Sequence, residues 1–188
     1  MYHRSCKTDQ PYAGWYSDID DTHKHIKERC KEIETKFSAR KAENKFLLEQ
    51  EYAKSTEDGM IFEQHDDMGL DIRKKCNTEL IGLISEMKST VEKIIRSMLE
   101  EYKIKGKKTN ESYISYGIRM LEEQKNIDMI DYADQRKTID AMNKKRNDYE
   151  HELDNLLFDE SVDFIVKFAD DSSFFMENLI RKLYESKA

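Results

Sequence analysis

Apolar residues recur at steps of three and four along most of this chain, which is the spacing of one face of an α-helix. The clearest run lies between Asp71 and Tyr102, where the steps are 4, 3, 4, 4, 3 and 4. The stripe consists of Cys76, Leu80, Leu83, Met87, Val91, Ile94 and Met98. At about 1.5 Å per residue this helix would be roughly 48 Å long, too long for a small globular domain to cover fully. The pattern therefore predicts a second long helix against the stripe.

Further apolar residues widen this stripe on both sides. They are Ile81, Ile84, Ile95 and Leu99. A face of that width predicts contact with more than one helix.

N-terminal to this run, the chain shows two further patterns. Residues 1–17 have no helical period and are predicted to be a flexible leader, with Ser17 or Asp18 capping the helix that follows. A stripe then runs through Ile19, Ile26, Cys30, Ile33 and Phe37, and shifts to Ala39, Ala42, Phe46 and Ala53. The shift predicts a change of register.

Residues 55–69 interrupt the pattern with Gly59, Gly69 and a cluster of acids. The segment could be a loop or a weak place within one long helix, because a glycine costs a helix only about 1 kcal/mol relative to alanine. Continuity is slightly favoured.

C-terminal to Tyr102, the chain is predicted to turn within residues 128–138 and to fold back through shorter helices. Thr138 or an earlier Asp could cap a second helix, whose stripe is Met142, Arg146, Tyr149, Leu153 and Leu156. An apolar segment starts at about residue 153, and Ser172 or Ser173 could cap a final helix. The predicted fold is all-α: an elongated coiled coil over residues 18–188, in which a long helix folds back through shorter C-terminal helices.

Composition narrows the classes of function. The only proline is Pro11, and charged residues make up 38% of the chain, so long solvated helices are permitted almost everywhere. The formal net charge of −7 disfavours nucleic acid as a partner. No window is apolar enough for a membrane span, and the N-terminus lacks the apolar core of a signal peptide, so a cytoplasmic protein is expected. Three dispersed cysteines indicate no disulfide framework.

No motif nominates a catalytic, cofactor-binding or metal-binding residue. The residues that could suggest zinc are His3, Cys6, His23, His25 and Cys30, but the chain has no C-x2-C pair. Adjacent carboxylates such as Asp66 and Asp67 diverge on a helix, which favours solvated faces over an acid/base pair. We therefore predict no metal, no cofactor and no enzyme, although catalytic groups can meet in space without a motif. The basic run KIKGKK at 103–108 is read as a solvated face, with an anionic partner as the alternative.

Three segments together resemble the coiled-coil region of tripartite-motif (RING, B-box, coiled-coil) proteins. They are CNTELIGLISEMKSTVEKIIRSMLEEY, MLEEQKNIDMIDYADQRKTIDAMN and ELDNLLFDESVDFIVKF. The resemblance implies an antiparallel homodimer that holds two effector ends apart, in a protein associated with ubiquitin transfer. No RING or B-box array of cysteine and histidine precedes the helix, so any ligase chemistry is expected outside this chain.

These patterns predict a homo-oligomerising coiled-coil scaffold that spaces and presents partners. The predicted dimer seam is Leu80, Leu83, Met87, Val91, Ile94 and Met98. Pairing is antiparallel if the resemblance holds, whereas the residues alone leave parallel pairing open. The alternative is a helical-bundle adaptor that binds a membrane surface or a vesicle-tethering partner, for which Lys103, Lys105, Lys107 and Lys108 could supply a local basic face.

Overall fold

The computed structural model describes residues 12–57, 67–105 and 111–186, and this part of the chain is helical with no strand. The all-α prediction is thereby confirmed. The elements are α1 (Tyr12–Glu57), α2 (Asp67–Glu101), α3 (Tyr113–Lys125), a 3₁₀ turn (Ile130–Tyr132), α4 (Ala133–Ala141), α5 (Arg146–Asp154) and α6 (Phe158–Glu185). The predicted long helix that folds back through shorter ones corresponds to α2 followed by α3 to α5.

Helices α1 and α2 pack side by side in opposite directions. The Trp15 indole N–H donates to Ser97 Oγ at 3.0 Å, and further along α1 the Arg29 guanidinium donates to Glu79 at 3.3 Å. Residue numbers therefore rise in α1 as they fall in α2. The slight preference for one continuous helix through residues 55–69 is wrong, because the two apolar stripes can cover each other only if the chain reverses between them. Residues 58–66 lie outside the described residues.

Helix α6 completes a three-helix bundle. Tyr16 donates from its hydroxyl to the Glu177 carbonyl at 3.0 Å, and the rings of Phe37 and Phe158 stack with centroids 3.8 Å apart. Hence α6 is antiparallel to α1 and parallel to α2. Two parallel neighbours cannot be joined by a tight turn, and the connection between them carries α3, α4 and α5.

The short helices pack on the remaining surface of the bundle, α3 and α5 against α2 and α4 against α6. Ser112 caps α3 by accepting the Ser115 amide at 3.1 Å, and Asn126 ends it in the left-handed conformation. Arg73 fixes the α5–α6 turn, since its guanidinium donates to the carbonyl oxygens of Asp154 at 2.9 Å and of Leu156. These carbonyls have no partner within α5, so an arginine from α2 satisfies them.

The wide apolar face of α2 is buried within the chain. All seven residues of the central stripe are at most 6% exposed. The elements packed on α2 are α1, α6, α3 and α5, which confirms that the width of the face serves more than one helix. The assignment of the dimer seam needs correction, because Leu80, Leu83, Met87, Val91, Ile94 and Met98 leave almost no surface for a second copy.

The predicted leader is also shorter than expected. Helix α1 begins at Tyr12, and both Tyr12 and Trp15 are buried in the core with their rings 5.1 Å apart, edge to face. Ser17 and Asp18 lie inside this helix and do not cap it. The reason is that Tyr12, Trp15 and Ile19 extend the same 3/4 spacing toward the N-terminus. Residues 1–11 lie outside the described residues.

The C-terminal half differs in two places. The single helix predicted after Thr138 is two helices, α4 and α5, separated at residues 142–145. The final helix begins at Phe158, so Ser172 and Ser173 lie in its interior and are buried. Their hydroxyls donate along α6, to the Phe168 carbonyl at 2.6 Å and to the Glu177 carboxylate at 2.9 Å. A serine satisfied in this way is compatible with the middle of a helix.

Gly117 of α3 packs directly against Ile95 and Leu99 of α2. A Cβ at this position would overlap Cγ2 of Ile95, whereas a Cβ at Gly82 of α2 would meet nothing within 4 Å. We expect Gly117→Ala to lower the denaturation midpoint, because overpacking costs about 1–3 kcal/mol. Gly82→Ala is the control and should raise the midpoint, because alanine is favoured over glycine within a helix by up to about 1 kcal/mol. Urea unfolding followed by circular dichroism measures both, and equal stability of the two variants would contradict this packing.

Burial of the α2 stripe within one chain gives a second prediction. Leu83→Asp combined with Ile94→Asp should abolish cooperative unfolding, because two unpaired charges would enter the core of a domain whose total stability is about 5–15 kcal/mol. The control is Thr78→Asp with Ser89→Asp, which has the same spacing on the exposed side of α2. Thermal melts distinguish them. If the core variant kept its helicity and melting temperature and lost only its ability to dimerise, the α2 stripe would be a dimer seam after all.

Candidate interaction surface and binding pocket

Helix α1 extends beyond the three-helix part of the bundle. The start of α6 lies against Phe37, so the part of α1 after Phe37 has no α6 beside it. Most side chains from 38 to 54 are exposed, while Asn44 is buried on the inner side. This half of α1 is therefore a helical surface that the described part of the chain leaves largely uncovered.

An apolar stripe follows the outer side of this segment. Ala39, Ala42, Phe46 and Ala53 are all exposed, and Phe46 is 59% exposed. At 3.6 residues per turn, Phe46 points about 180° away from Phe37, which lies on the inner side. The predicted shift of the stripe thus describes a second face of α1, and this face is not covered by the described part of the chain. We call Ala39, Ala42, Phe46 and Ala53 the outer stripe.

Charged and amide side chains border the outer stripe on both sides. Lys45 and Glu49 lie on one border and form an ion pair at 3.9 Å, while Glu43 and Gln50 lie on the other. Exposed pairs of this kind contribute little to stability in water, about 0–1 kcal/mol. They are free to exchange partners if another helix lies on the stripe.

A pocket of about 380 Å³ lies between α2 and the turn that joins α4 to α5. The residues beneath it are Ile81, Ile84, Met142 and Tyr149, which belong to the core and are at most 3% exposed. Its rim is basic and consists of Lys88, Lys144, Lys145 and Arg146, and no acidic residue lines it. Sequence reasoning missed this site because its residues come from α2 and from a turn more than 50 positions later. A signal was present in the run of three basic residues at 144–146.

Some polar groups of the pocket already have an ion-pair or hydrogen-bond partner, and others do not. Lys144 pairs with Glu152 and Arg146 with Glu150, each at 3.0 Å. Neither Lys88 nor Lys145 has an acidic partner in the described ranges. The Tyr149 hydroxyl donates to the Ala141 carbonyl at 2.6 Å, and burial raises its pKa to about 12, so this group is neutral and already engaged.

The candidate metal ligands do not come together. His23 Nε2 lies 2.5 Å from Asp170, which also binds Lys27, while His25 lies 3.8 Å from Glu86. In the part of the chain that the structure describes, no three His, Cys, Asp or Glu side chains form a metal-binding group. His3 and Cys6 lie outside the described residues.

The basic run at 103–108 is described only as far as Lys105. Within it, Ile104 is buried and Lys103 has a positive φ.

Cys30 and Cys76 are buried free thiols in α1 and α2. Burial, with Glu34 as a smaller contribution, raises the pKa of Cys30 to about 11, and burial likewise raises the pKa of Cys76. Both are therefore protonated at neutral pH, which makes them poor nucleophiles and poor metal ligands.

None of the described helices has the length and apolar character needed to cross a bilayer.

Thiol labelling checks this state of the cysteines. In a Cys6→Ser variant, we expect Cys30 and Cys76 to react with Ellman's reagent only as fast as the protein unfolds, because the protonated, buried thiol is unreactive. Adding Ser89→Cys on the exposed side of α2 supplies a control thiol that should react at once. Rapid reaction without Ser89→Cys would contradict the burial of these residues.

Comparison of the chain with protein-family models, with curated proteins and with solved structures finds no match. The tripartite-motif resemblance therefore rests on helical spacing alone and stays a prediction. The function of the chain has to be inferred from the outer stripe and the pocket.

Proposed function

We propose that this chain acts as a self-associating scaffold rather than as an enzyme, and that two copies pair antiparallel through the outer stripe of α1. The observation that carries the proposal is that the exposed Phe46 lies midway between two exposed alanines of the stripe, while the counterpart of Ala42 is Gln50. Ala39 and Ala53 each lie seven residues from Phe46, on opposite sides of it. The proposal keeps the predicted homodimer and moves its seam from α2 to α1.

The symmetry of the stripe fits an isologous dimer, in which both copies use the same surface. With the twofold axis at Phe46, Ala39 of one copy lies at the level of Ala53 of the other. Small residues on both sides of the axis let the two helices approach closely. The two Phe46 rings then meet at the axis, and the nearest small residue of the second copy is Ala42, four residues from each ring.

The bordering charges also complement each other in this arrangement. In an antiparallel pair the same border of each helix faces its own copy. Lys45 of one copy then lies about two residues from the level of Glu49 of the second, within reach of a lysine side chain, and Glu43 lies about one residue from Gln50. Over residues 38–54 the chain has four basic and three acidic residues, so this segment is nearly neutral in a chain of net charge −7. A second copy therefore meets little repulsion here.

The size of the stripe indicates a weak, reversible dimer. A stable interface needs about 800 Å² from each partner. A fully buried aromatic ring supplies about 150–250 Å², and three-fifths of Phe46 is available. Association should accordingly depend on protein concentration, which suits a scaffold that assembles when its copies are brought together.

Substituting Phe46 tests the proposal. Burying this side chain from its exposed state is worth about 1–2 kcal/mol per copy, so Phe46→Asp should weaken the dimer by roughly 30-fold to several hundred-fold. Phe174→Asp is the matched control, because Phe174 is 51% exposed on α6, away from the outer stripe. Sedimentation equilibrium over protein concentrations from about 1 µM to about 1 mM measures the dissociation constants.

A charge exchange tests the antiparallel pairing in the same experiment. Lys45→Glu alone should weaken the dimer, and Lys45→Glu combined with Glu49→Lys should restore it, because both cross-pairs are then reversed. The proposal is wrong if the unmodified chain is monomeric throughout, or if Phe46→Asp and Phe174→Asp have the same effect.

A further inference from the structure

Helix α5 is too short to be stable without the surface beneath it. It has nine residues, whereas an isolated helix of fewer than about 12–15 residues is marginal in water. Its only buried side chains are Tyr149 and Leu153, one helical turn apart, and most of its other residues are charged. The helix is therefore held in place by its contacts with other elements, chiefly with α2.

Helix α5 lies along one row of α2 residues, and this row changes from polar to apolar. Arg73, Asn77, Ile81 and Ile84 follow each other at steps of 4, 4 and 3, so they share one face of α2. Arg73 contacts the C-terminal end of α5, while Ile81 and Ile84 lie beside Tyr149 and the turn that precedes α5. The two helices are therefore antiparallel, and α5 with its turn covers the two isoleucines, which are at most 3% exposed.

The polar end of this row holds α5 through hydrogen bonds. Nη2 of Arg73 donates to three carbonyl oxygens, those of Leu153 at 3.3 Å, of Asp154 at 2.9 Å and of Leu156. The Asn77 side-chain amide donates to the Asp154 carboxylate at 3.2 Å. Hydrogen bonds from a charged donor are stronger than neutral ones, so Arg73 is the main polar contact between α2 and this end of α5.

The same contact leaves two buried atoms unpaired. Nε of Arg73 and Oδ1 of Asn77 have no hydrogen-bond partner among the described residues. A buried polar atom without a partner costs free energy, because it has lost its hydrogen bonds to water. Closure of α5 on α2 therefore gains the carbonyl contacts but loses the hydration of two polar atoms, which brings the closed and open arrangements closer in free energy.

We propose that α5 is a strap that opens on its own while the three-helix bundle stays folded, and that Arg73 is the latch that sets how often it opens. Local opening of this kind is expected where few apolar contacts hold an element. An open strap uncovers Ile81 and Ile84, so this apolar part of α2 is accessible to another helix only while the latch is released. The proposal goes beyond the dimer, which uses the outer stripe of α1, and does not depend on it.

The experiment is hydrogen exchange of the full-length chain, followed by NMR at urea concentrations below the unfolding transition. After correction for intrinsic rates, we expect the amides of His151, Glu152 and Leu153 to exchange at least about a hundredfold faster than those of Met87 and Val91 in α2. The α5 rates should be nearly independent of urea, because local opening exposes little surface. The α2 rates should rise steeply, because those amides exchange through global unfolding.

Arg73→Gln tests the latch. Loss of the charged donor should raise the exchange rates of the α5 amides at least about tenfold. Lys74→Gln is the matched control, since it removes the same charge from the neighbouring, exposed position on α2 and should leave these rates unchanged.

A core substitution away from α5 tests whether the strap opens independently of the bundle. Ile19 is fully buried in α1, and Ile19→Val should accelerate exchange in the middle of α2 severalfold by destabilising the bundle. The α5 rates should not change, because the open strap leaves the packing of Ile19 intact. Phe46→Asp should leave the α5 rates unchanged as well, which separates this result from that of the dimer.

A thiol at position 84 tests whether opening uncovers α2. In a Cys6→Ser background, we expect Ile84→Cys to react with Ellman's reagent faster than Cys30 and Cys76 of the same molecule, which require global unfolding. Adding Arg73→Gln should raise the rate at position 84 at least about tenfold.

Three results would overturn the proposal. They are α5 amides that exchange with the urea dependence of Met87, equal effects of Arg73→Gln and Lys74→Gln on α5, and a thiol at position 84 that reacts no faster than Cys30. If Arg73→Gln does not fold, the unmodified chain and Ile19→Val still decide the matter, because a strap that opens only with the bundle would respond to Ile19→Val as α2 does.

Discussion

Coverage of α2 from both sides by its own chain is the constraint on which this structure depends. Its apolar face is too wide for one neighbour, since the central stripe is flanked by isoleucines and a leucine that are also buried. Helices α1 and α6 form the three-helix bundle with it, and α3 and α5 pack on its remaining surface. Because α2 and α6 are parallel, the chain must travel back along the bundle between them, and the short helices are that return path.

The same constraint decides which surfaces remain for function. Side chains that pack on α2 are buried in the folded chain, so a partner has to bind to surfaces outside the bundle. Two features remain prominent. One is the half of α1 that runs past the start of α6, with Phe46 exposed on its outer side. The other is the pocket at the α4–α5 turn, where a basic rim lies over the buried Ile81 and Ile84 of α2.

The two features differ in the interactions that they can make. The outer stripe is shallow, and its aromatic residue lies midway between Ala39 and Ala53, which favours a second helix of the same kind. The pocket has a basic rim over buried apolar residues, and two of its lysines have no acidic partner among the described residues.

The sequence by itself determined that the chain is helical and which residues of α2 are buried. Helical spacing depends only on local geometry, so Leu80, Met87 and Ile94 could be identified without any knowledge of their partners. It also located the apolar stripe of α1 from Ile19 to Phe37 and the second stripe around Phe46. The buried Tyr12 and Trp15 could have been found too, since they continue the spacing of Ile19.

Only the tertiary structure decided what covers each stripe. An apolar face is equally satisfied by a second copy or by a later helix of the same chain, because burial has no preference for the source of the partner. The reversal between α1 and α2 and the parallel placement of α6 made the cover of α2 internal, and left the outer stripe of α1 exposed. The pocket likewise exists only because Lys88 and Lys145, far apart in sequence, are brought to the same rim by packing of α5 on α2.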